Sequence, residues 1–226
     1  MKARRRFDRT ASAYTREAKL PEATGNTFLI VTEGEKTEPC YFEALRKRLG
    51  LSSAEVVVLH PEGTDPITLT KEAVALRETR RQEAQTGFQA AYDEVWVVFD
   101  LEKTHDPRRK LAKQAMALKE AEGIKFAESD PSFEFWLLLH EEFTTAPLAD
   151  SGAVVRRLKK HWKSYSKGQT PSAEFLEKLP IAIGNAERCR KHHRDAGGDR
   201  NPSTDVDLLA ANLNAATRPN LRIPRG

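Results

Sequence analysis

The sequence predicts an α/β fold: a mostly parallel, four-stranded sheet flanked by helices, with a basic N-terminal arm before it and a helical extension after it. Three observations carry this reading. Short apolar, β-branched runs at 28–32 and 56–59 suit strands buried on both faces, and 94–99 and 124–127 add a third and a fourth short strand. Segments of helical period separate them, opened by proline or a capping residue and closed by Gly50, Gly87 and Gly123. Finally, the first and third runs end directly in carboxylates, and an open parallel sheet gathers its functional groups at the carboxyl ends of its strands.

Composition narrows the class. A chain of 226 residues with 39% apolar and 31% charged residues can bury a sizeable core, and no apolar run approaches the length of a bilayer span. The N-terminus lacks the apolar core of a signal peptide, and two cysteines, Cys40 and Cys189, are too few for a disulfide framework. The expectation is a cytoplasmic, reduced protein with no membrane association. Net charge is +4, and the whole excess lies in residues 1–25, where seven cations face three carboxylates. That arm suits either contact with nucleic acid phosphates or a solvated tail.

Phe28 to Thr32 forms the first expected strand, and Glu33-Gly34 turns the chain, with glycine supplying backbone freedom. Thr37 is then expected to cap a helix whose first turn holds Glu38 and Pro39. Gly34-Glu35-Lys36-Thr37 ends like a phosphate-binding loop, but the residues before Gly34 are strand and the turn is acidic, which argues against one. A carboxylate here is instead a natural ligand for a hard divalent cation. Tyr41, Phe42, Leu45 and Leu49 recur at helical spacing and read as core. Val56 to Leu59 suits a second buried strand, with His60 at its end more plausibly hydrogen-bonded than a ligand. Thr64 or Asp65 caps the next helix, with Pro66 at its first position.

Glu94 to Phe99 runs straight into Asp100-Leu101-Glu102-Lys103. Two carboxylates two residues apart, where the chain leaves extended geometry, can turn toward one cation, and magnesium favours one or two carboxylates with retained waters. His105 lies in the following loop, and Pro107 opens a helix expected to run past Leu118 to Gly123. After the fourth strand, Ser129 or Asp130 is expected to cap a helix, Phe133 to His140, that is apolar nearly all round and therefore buried. Glu134 in its first turn serves equally well as a dipole-compensating carboxylate or as a group near the metal.

Beyond Phe143, Val154, Val155, Leu158 and Trp162 make an apolar stripe with Arg156, Arg157, Lys159, Lys160 and Lys163 around it. The stripe alone accounts for a docked helix; the cations also suit a nucleic acid backbone, with Arg156, Arg157 and Lys160 as its contacts beside Lys36 and Lys103. Cys189, His192 and His193 offer too few ligands for zinc, and Thr204 or Asp205 caps a last helix through Val206, Leu208, Leu209 and Leu213. The organisation expected is thus an arm at 1–25, an α/β domain at 26–143 and a helical region at 144–226 that packs on it.

A carboxylate after one strand and an Asp-x-Asp-like pair after another look like the Toprim domain of topoisomerases, primases and OLD-type nucleases. Several blocks together more closely resemble the RloB-like family: Glu33-Gly34-Glu35-Lys36-Thr37-Glu38-Pro39 with Tyr41-Phe42, Gly63-Thr64-Asp65-Pro66, Val97-Val98-Phe99-Asp100, Pro131 to His140, and Asn201-Pro202-Ser203-Thr204. The resemblance implies a Toprim-type nuclease using Mg²⁺ or Mn²⁺, associated with restriction and phage-defence loci and often found beside an ATPase partner of ABC or AAA-like type. It assigns Glu33 as acid or base and Asp100 with Glu102 as the metal-binding pair; Glu33 and Glu134 are further candidate ligands by their own positions at a strand end and a helix start. Glu102 departs from the usual Asp, and Cys40 stands where the pattern has Asn. Two rivals remain at this stage: a non-cleaving module that senses nucleic acid or docks on an ATPase, and a phosphotransferase with Asp100 as nucleophile. The second is disfavoured because Asp100 follows the third strand instead of the first.

Overall fold

The computed structural model describes residues 26–52, 56–60, 65–87, 89–102, 107–197 and 200–224. The basic arm, Thr64, Lys103 and His105 lie outside the described residues. In chain order the elements are β1 (Phe28–Thr32), α1 (Thr37–Arg48), β2 (Val56–Leu59), α2 (Pro66–Gln85), β3 (Glu94–Asp100), α3 (Arg108–Met116), β4 (Ile124–Asp130), α4 (Glu134–Leu139), α5 (Ser151–His161), α6 (Ala173–Glu177), α7 (Leu179–Ala196), β5 (Ser203–Thr204) and α8 (Val206–Ala216). They form a five-stranded sheet in the order β2-β1-β3-β4-β5, parallel except for β5, which pairs antiparallel with β4.

The pleat sorts the strand residues into two cores. Phe28, Ile30, Trp96, Val98 and Ala127 face α1 and the helices from α4 onward, in a cluster that also holds Phe133, Trp136, Leu158, Cys189 and Leu213. Leu29, Val31, Val95, Val97 and Phe99 face the other way, onto Leu69 and Ala73 of α2 and Ala112 of α3. The first cluster runs from Phe28 to Ile223, so residues on both sides of Phe143 share one core.

Several sequence expectations need correction. The sheet has a fifth strand, because Ser203–Thr204 continues the ladder beyond β4. β2 is an edge strand, with Leu59 exposed, although its β-branched run reads as fully buried. Gly34 has no unusual backbone angle; what a Cβ there would meet is the Glu38 carboxylate, which would have to swing away from its bond to Gly34 N. Thr37 is the first helical residue and caps nothing, while its hydroxyl accepts from Gly168 N at 3.3 Å. The helix after Pro107 stops at Met116, and a 3₁₀ turn at Lys119–Ala121 completes the connection. β4 is longer than its apolar run because Ser129 and Asp130 remain in the ladder, so neither caps α4. Leu208 of α8 is exposed, whereas Val206, Leu209 and Leu213 are buried.

Other expectations hold. Asp65 caps α2, accepting from Ile67 N and Thr68 N at 3.0 and 3.1 Å. Tyr41, Phe42, Leu45 and Leu49 are fully buried, and α4 is buried on every side. His60 bonds the Thr32 carbonyl at 3.2 Å. His140, at the end of α4, is buried, stacks on Phe175 and has its basicity pushed down to about 3 by desolvation. Its Nδ1 therefore carries the proton toward the Trp136 carbonyl (3.1 Å), leaving Nε2 to accept from the Tyr41 hydroxyl (3.3 Å).

Candidate functional site

The carboxyl ends of β1, β3 and β4 lie side by side, and the backbone fixes three carboxylates there. Glu33 N donates to the Val98 carbonyl at 2.9 Å, extending the β1–β3 ladder by one residue. In return Asp100 N donates to Glu33 Oε2 at 3.1 Å. Leu101 N reaches the Ser129 carbonyl and Glu102 N the Pro131 carbonyl, at 2.8 and 2.9 Å. Those bonds turn the chain so sharply that Glu102 takes φ 58°, a left-handed conformation that costs a residue with a side chain about 1 to 3 kcal/mol. Together they hold Asp100 inward at the sheet edge.

Helix starts bring two more carboxylates. Glu38, in the first turn of α1, folds back so that its Oε1 accepts from Gly34 N at 3.1 Å. Glu134 begins α4 and is 3% exposed; its Oε2 accepts from Ser132 Oγ (2.7 Å) and its Oε1 from the Tyr165 hydroxyl (3.1 Å). Glu38, Glu134, Phe133, Lys36 and Lys167 border a cavity of about 350 Å³.

The electrostatics are those of crowded acid. Burial pushes the Asp100 carboxyl well above the usual range, and Glu38, Glu134, Glu33 and Glu102 push it further in the same direction. Asp100 Oδ1 is buried and has no hydrogen-bond partner among the described residues. Burial also raises Glu33, against the lowering effect of Asp100 N and of Arg108, which is ion-paired with Glu33 Oε1. Among the described residues, no three His, Cys, Asp or Glu side chains form a ready-made metal ligand set.

Glu38 is pushed up to about 7, first by burial and then by Glu134 and Glu33. A carboxyl raised on folding contributes stability below its unfolded pKa and loses it as pH rises through the folded value. In EDTA, the wild type is therefore expected to lose about 1 to 3 kcal/mol of stability between pH 4.5 and 8 through this group. Glu38→Gln should flatten that loss in urea unfolding at the two pH values; an unchanged pH dependence would show that Glu38 does not carry it.

Of the residues singled out in sequence, Glu33, Asp100 and Glu134 enter one electrostatic cluster, and Glu102 adjoins it through the β3 turn. Lys36 lines the cavity from the N-terminal end of α1. Arg156, Arg157 and Lys160 lie on α5 around a separate cleft with Glu142, and Arg157 is ion-paired to that glutamate. Sequence reading missed Glu38, Arg108, Tyr165 and Lys167 as members of the site. It also missed Asp130, whose Oδ1 accepts from Arg109 and from Asn201 Nδ2, both at 2.8 Å. Glu38 had a signal, since it follows Glu33 by one short turn and one helix start. Tyr165 and Lys167 had none, because their approach depends on how a distant loop packs.

Fold and site define an α/β chain whose parallel-sheet edge concentrates buried carboxylates. The family model for the RloB-like protein matches residues 28–213, from β1 into α8. The chain belongs to the RloB-like protein family. Among curated proteins no match is found, and no solved structure matches either.

Proposed function

We propose that this chain is a Toprim-like, metal-dependent nuclease that hydrolyses phosphodiester bonds of DNA or RNA, in the cytoplasm, within a restriction-linked or phage-defence system and with an ATPase partner. The observation that carries the chemistry is the buried, unpartnered Oδ1 of Asp100 amid Glu33, Glu38, Glu102 and Glu134. Like charges packed this closely need a cation or shared protons. Every donor is a hard carboxylate oxygen, which fits Mg²⁺ or Mn²⁺ far better than softer metals. Asp100 would hold the ion with Glu102, joined by Glu33 and Glu134. When bound, such an ion neutralises charge on a phosphate oxygen and acidifies a water.

The chain's own groups do the rest. Glu33, whose carboxyl burial raises, is placed to hold or pass a proton, and Arg108 beside it keeps its carboxylate oriented. Lys36 and the cations of α5 draw in the nucleic acid backbone. The nuclease, defence and ATPase assignments rest on the family resemblance, and the carboxylate edge is the physical support for the first of them. Two observations favour the non-cleaving alternative: Glu33 is held by Arg108, and no ready-made ligand set is assembled among the described residues.

The test is cleavage of labelled single- and double-stranded DNA and of a transfer-RNA pool, with Mg²⁺, Mn²⁺ or EDTA, by wild type and Glu33→Gln, alone and with any ATPase found encoded beside it. Cutting that needs the metal and falls at least about a hundredfold in the variant supports the nuclease. Nucleic acid binding without cutting under every condition supports the sensing module.

A further inference from the structure

The turn after α5 reaches the carboxylate cavity, rooted by Tyr165 in the same core cluster as Phe28 and Phe133. Ser166-Lys167-Gly168-Gln169 is closed by Gln169 N donating to the Ser166 carbonyl at 3.0 Å, and Gly168, third in the turn, has φ 82°, as a type II turn demands. Two anchors fix the turn against the site. Tyr165, 2% exposed, donates its hydroxyl to Glu134, and Gly168 N donates to Thr37 Oγ1 at the start of α1. The packing leaves no slack, because a Cβ on Gly168 would come within 2.9 Å of Lys36 Cβ. Lys167, the residue between these anchors, therefore stands at the rim of the cavity that Glu38 and Glu134 line. It is exposed, and among the described residues it has no carboxylate partner, although acidic groups border the same cavity.

We propose that Lys167 is a phosphate contact of the site, gripping the backbone of a nucleic acid strand next to the carboxylate cluster, with Tyr165 and Gly168 as the residues that position it. The inference deepens the nuclease reading and rests on it for the class of ligand. Its logic is complementarity: an acidic cavity repels a polyanion unless a fixed cation stands at its rim. A lysine on a tightly closed turn supplies that charge with less loss of freedom than one on a loose loop.

The experiment measures affinity for a labelled single-stranded and a labelled duplex oligonucleotide across a salt series, with Ca²⁺ in place of Mg²⁺. It compares wild type, Lys167→Ala, Lys167→Arg and, as a distant control, Lys191→Ala on α7. Lys167→Ala is expected to weaken binding roughly fivefold to tenfold at 0.1 M salt and to flatten the slope of log affinity against log salt by about one. Lys167→Arg and Lys191→Ala should behave like wild type. Unchanged affinity and slope in Lys167→Ala, or a wild type that binds neither oligonucleotide, overturns the proposal. The nuclease reading fails separately: a wild type that binds through Lys167 but does not cut in Mg²⁺ or Mn²⁺ refutes cleavage and leaves the contact standing.

Discussion

Asp100→Ala is expected to abolish metal-dependent cleavage, by about a thousandfold or more, which corresponds to roughly 4 kcal/mol of lost transition-state stabilisation. The same position should also become less of a burden to the fold. Asp100 is raised well above the ordinary carboxyl range, first by burial and then by Glu38, Glu134, Glu33 and Glu102. Its contribution to stability is present below the unfolded pKa and is lost as pH rises toward the folded one. At pH 8 in EDTA, Asp100→Asn, which keeps the volume of the side chain, should thus have a higher denaturation midpoint than wild type, and the advantage should vanish in acid. Adding Mg²⁺ or Mn²⁺ should reverse the order, because an ion at a hundred times its Kd stabilises the wild type by about 2.7 kcal/mol and the variant by much less. Cleavage that survives in a folded Asp100→Ala protein would remove this residue from the chemistry.

Asp207→Ala is expected to cost about 3 kcal/mol of folding stability while leaving the carboxylate edge unchanged. Asp207, at the start of α8, receives two bonds from the Arg190 guanidinium on α7, at 2.5 and 2.6 Å, and is 1% exposed. The same Arg190 Nη1 donates to the Thr204 carbonyl at 2.9 Å, so this pair ties α7 to β5 and α8. Burial still pushes the Asp207 carboxyl upward despite the guanidinium, whereas Arg190 is raised too, its own burial outweighed by Asp207 and Asp205. Removing one partner strands the other, and Asp205, 3.5 Å from Arg190 Nη1, compensates only weakly. Urea unfolding of Asp207→Ala beside the double variant Arg190→Met/Asp207→Leu separates the cases. The single change should be the more destabilising of the two; a cost below about 1 kcal/mol would show that the pair is dispensable.

Much of the frame was legible in the sequence because strands of a parallel sheet, buried on both faces, write themselves as continuous apolar runs. β1 and β3 show this most plainly, and the carboxylates that follow them could be placed at the sheet edge for the same reason. The misreadings also have physical causes. β4 extends through Glu128, Ser129 and Asp130 because those polar side chains find partners late in the chain: Arg200, Thr204 and Asn201. Without knowing those partners, a polar run before proline reads as a cap. β2 shows the reverse error, since an apolar strand can lie at an edge when neighbouring helices cover part of it. The site was legible where its members follow strands, as with Glu33 and Asp100. It was illegible where they arrive by tertiary packing, as with Tyr165 and Lys167.

Some of the bonds that steady the acidic edge come from residues far downstream of it. Asp130 is held by Asn201, Glu134 by Tyr165, and the start of α1 by Gly168. A ribosome makes the chain in the opposite order, so all five carboxylates of the cluster emerge before any of these three supports. A nascent chain carries the acids without this last part of the frame that aims them. Completion of the carboxylate cluster is consequently a late event of synthesis, and a chain released before residue 165 lacks the side chain that holds Glu134.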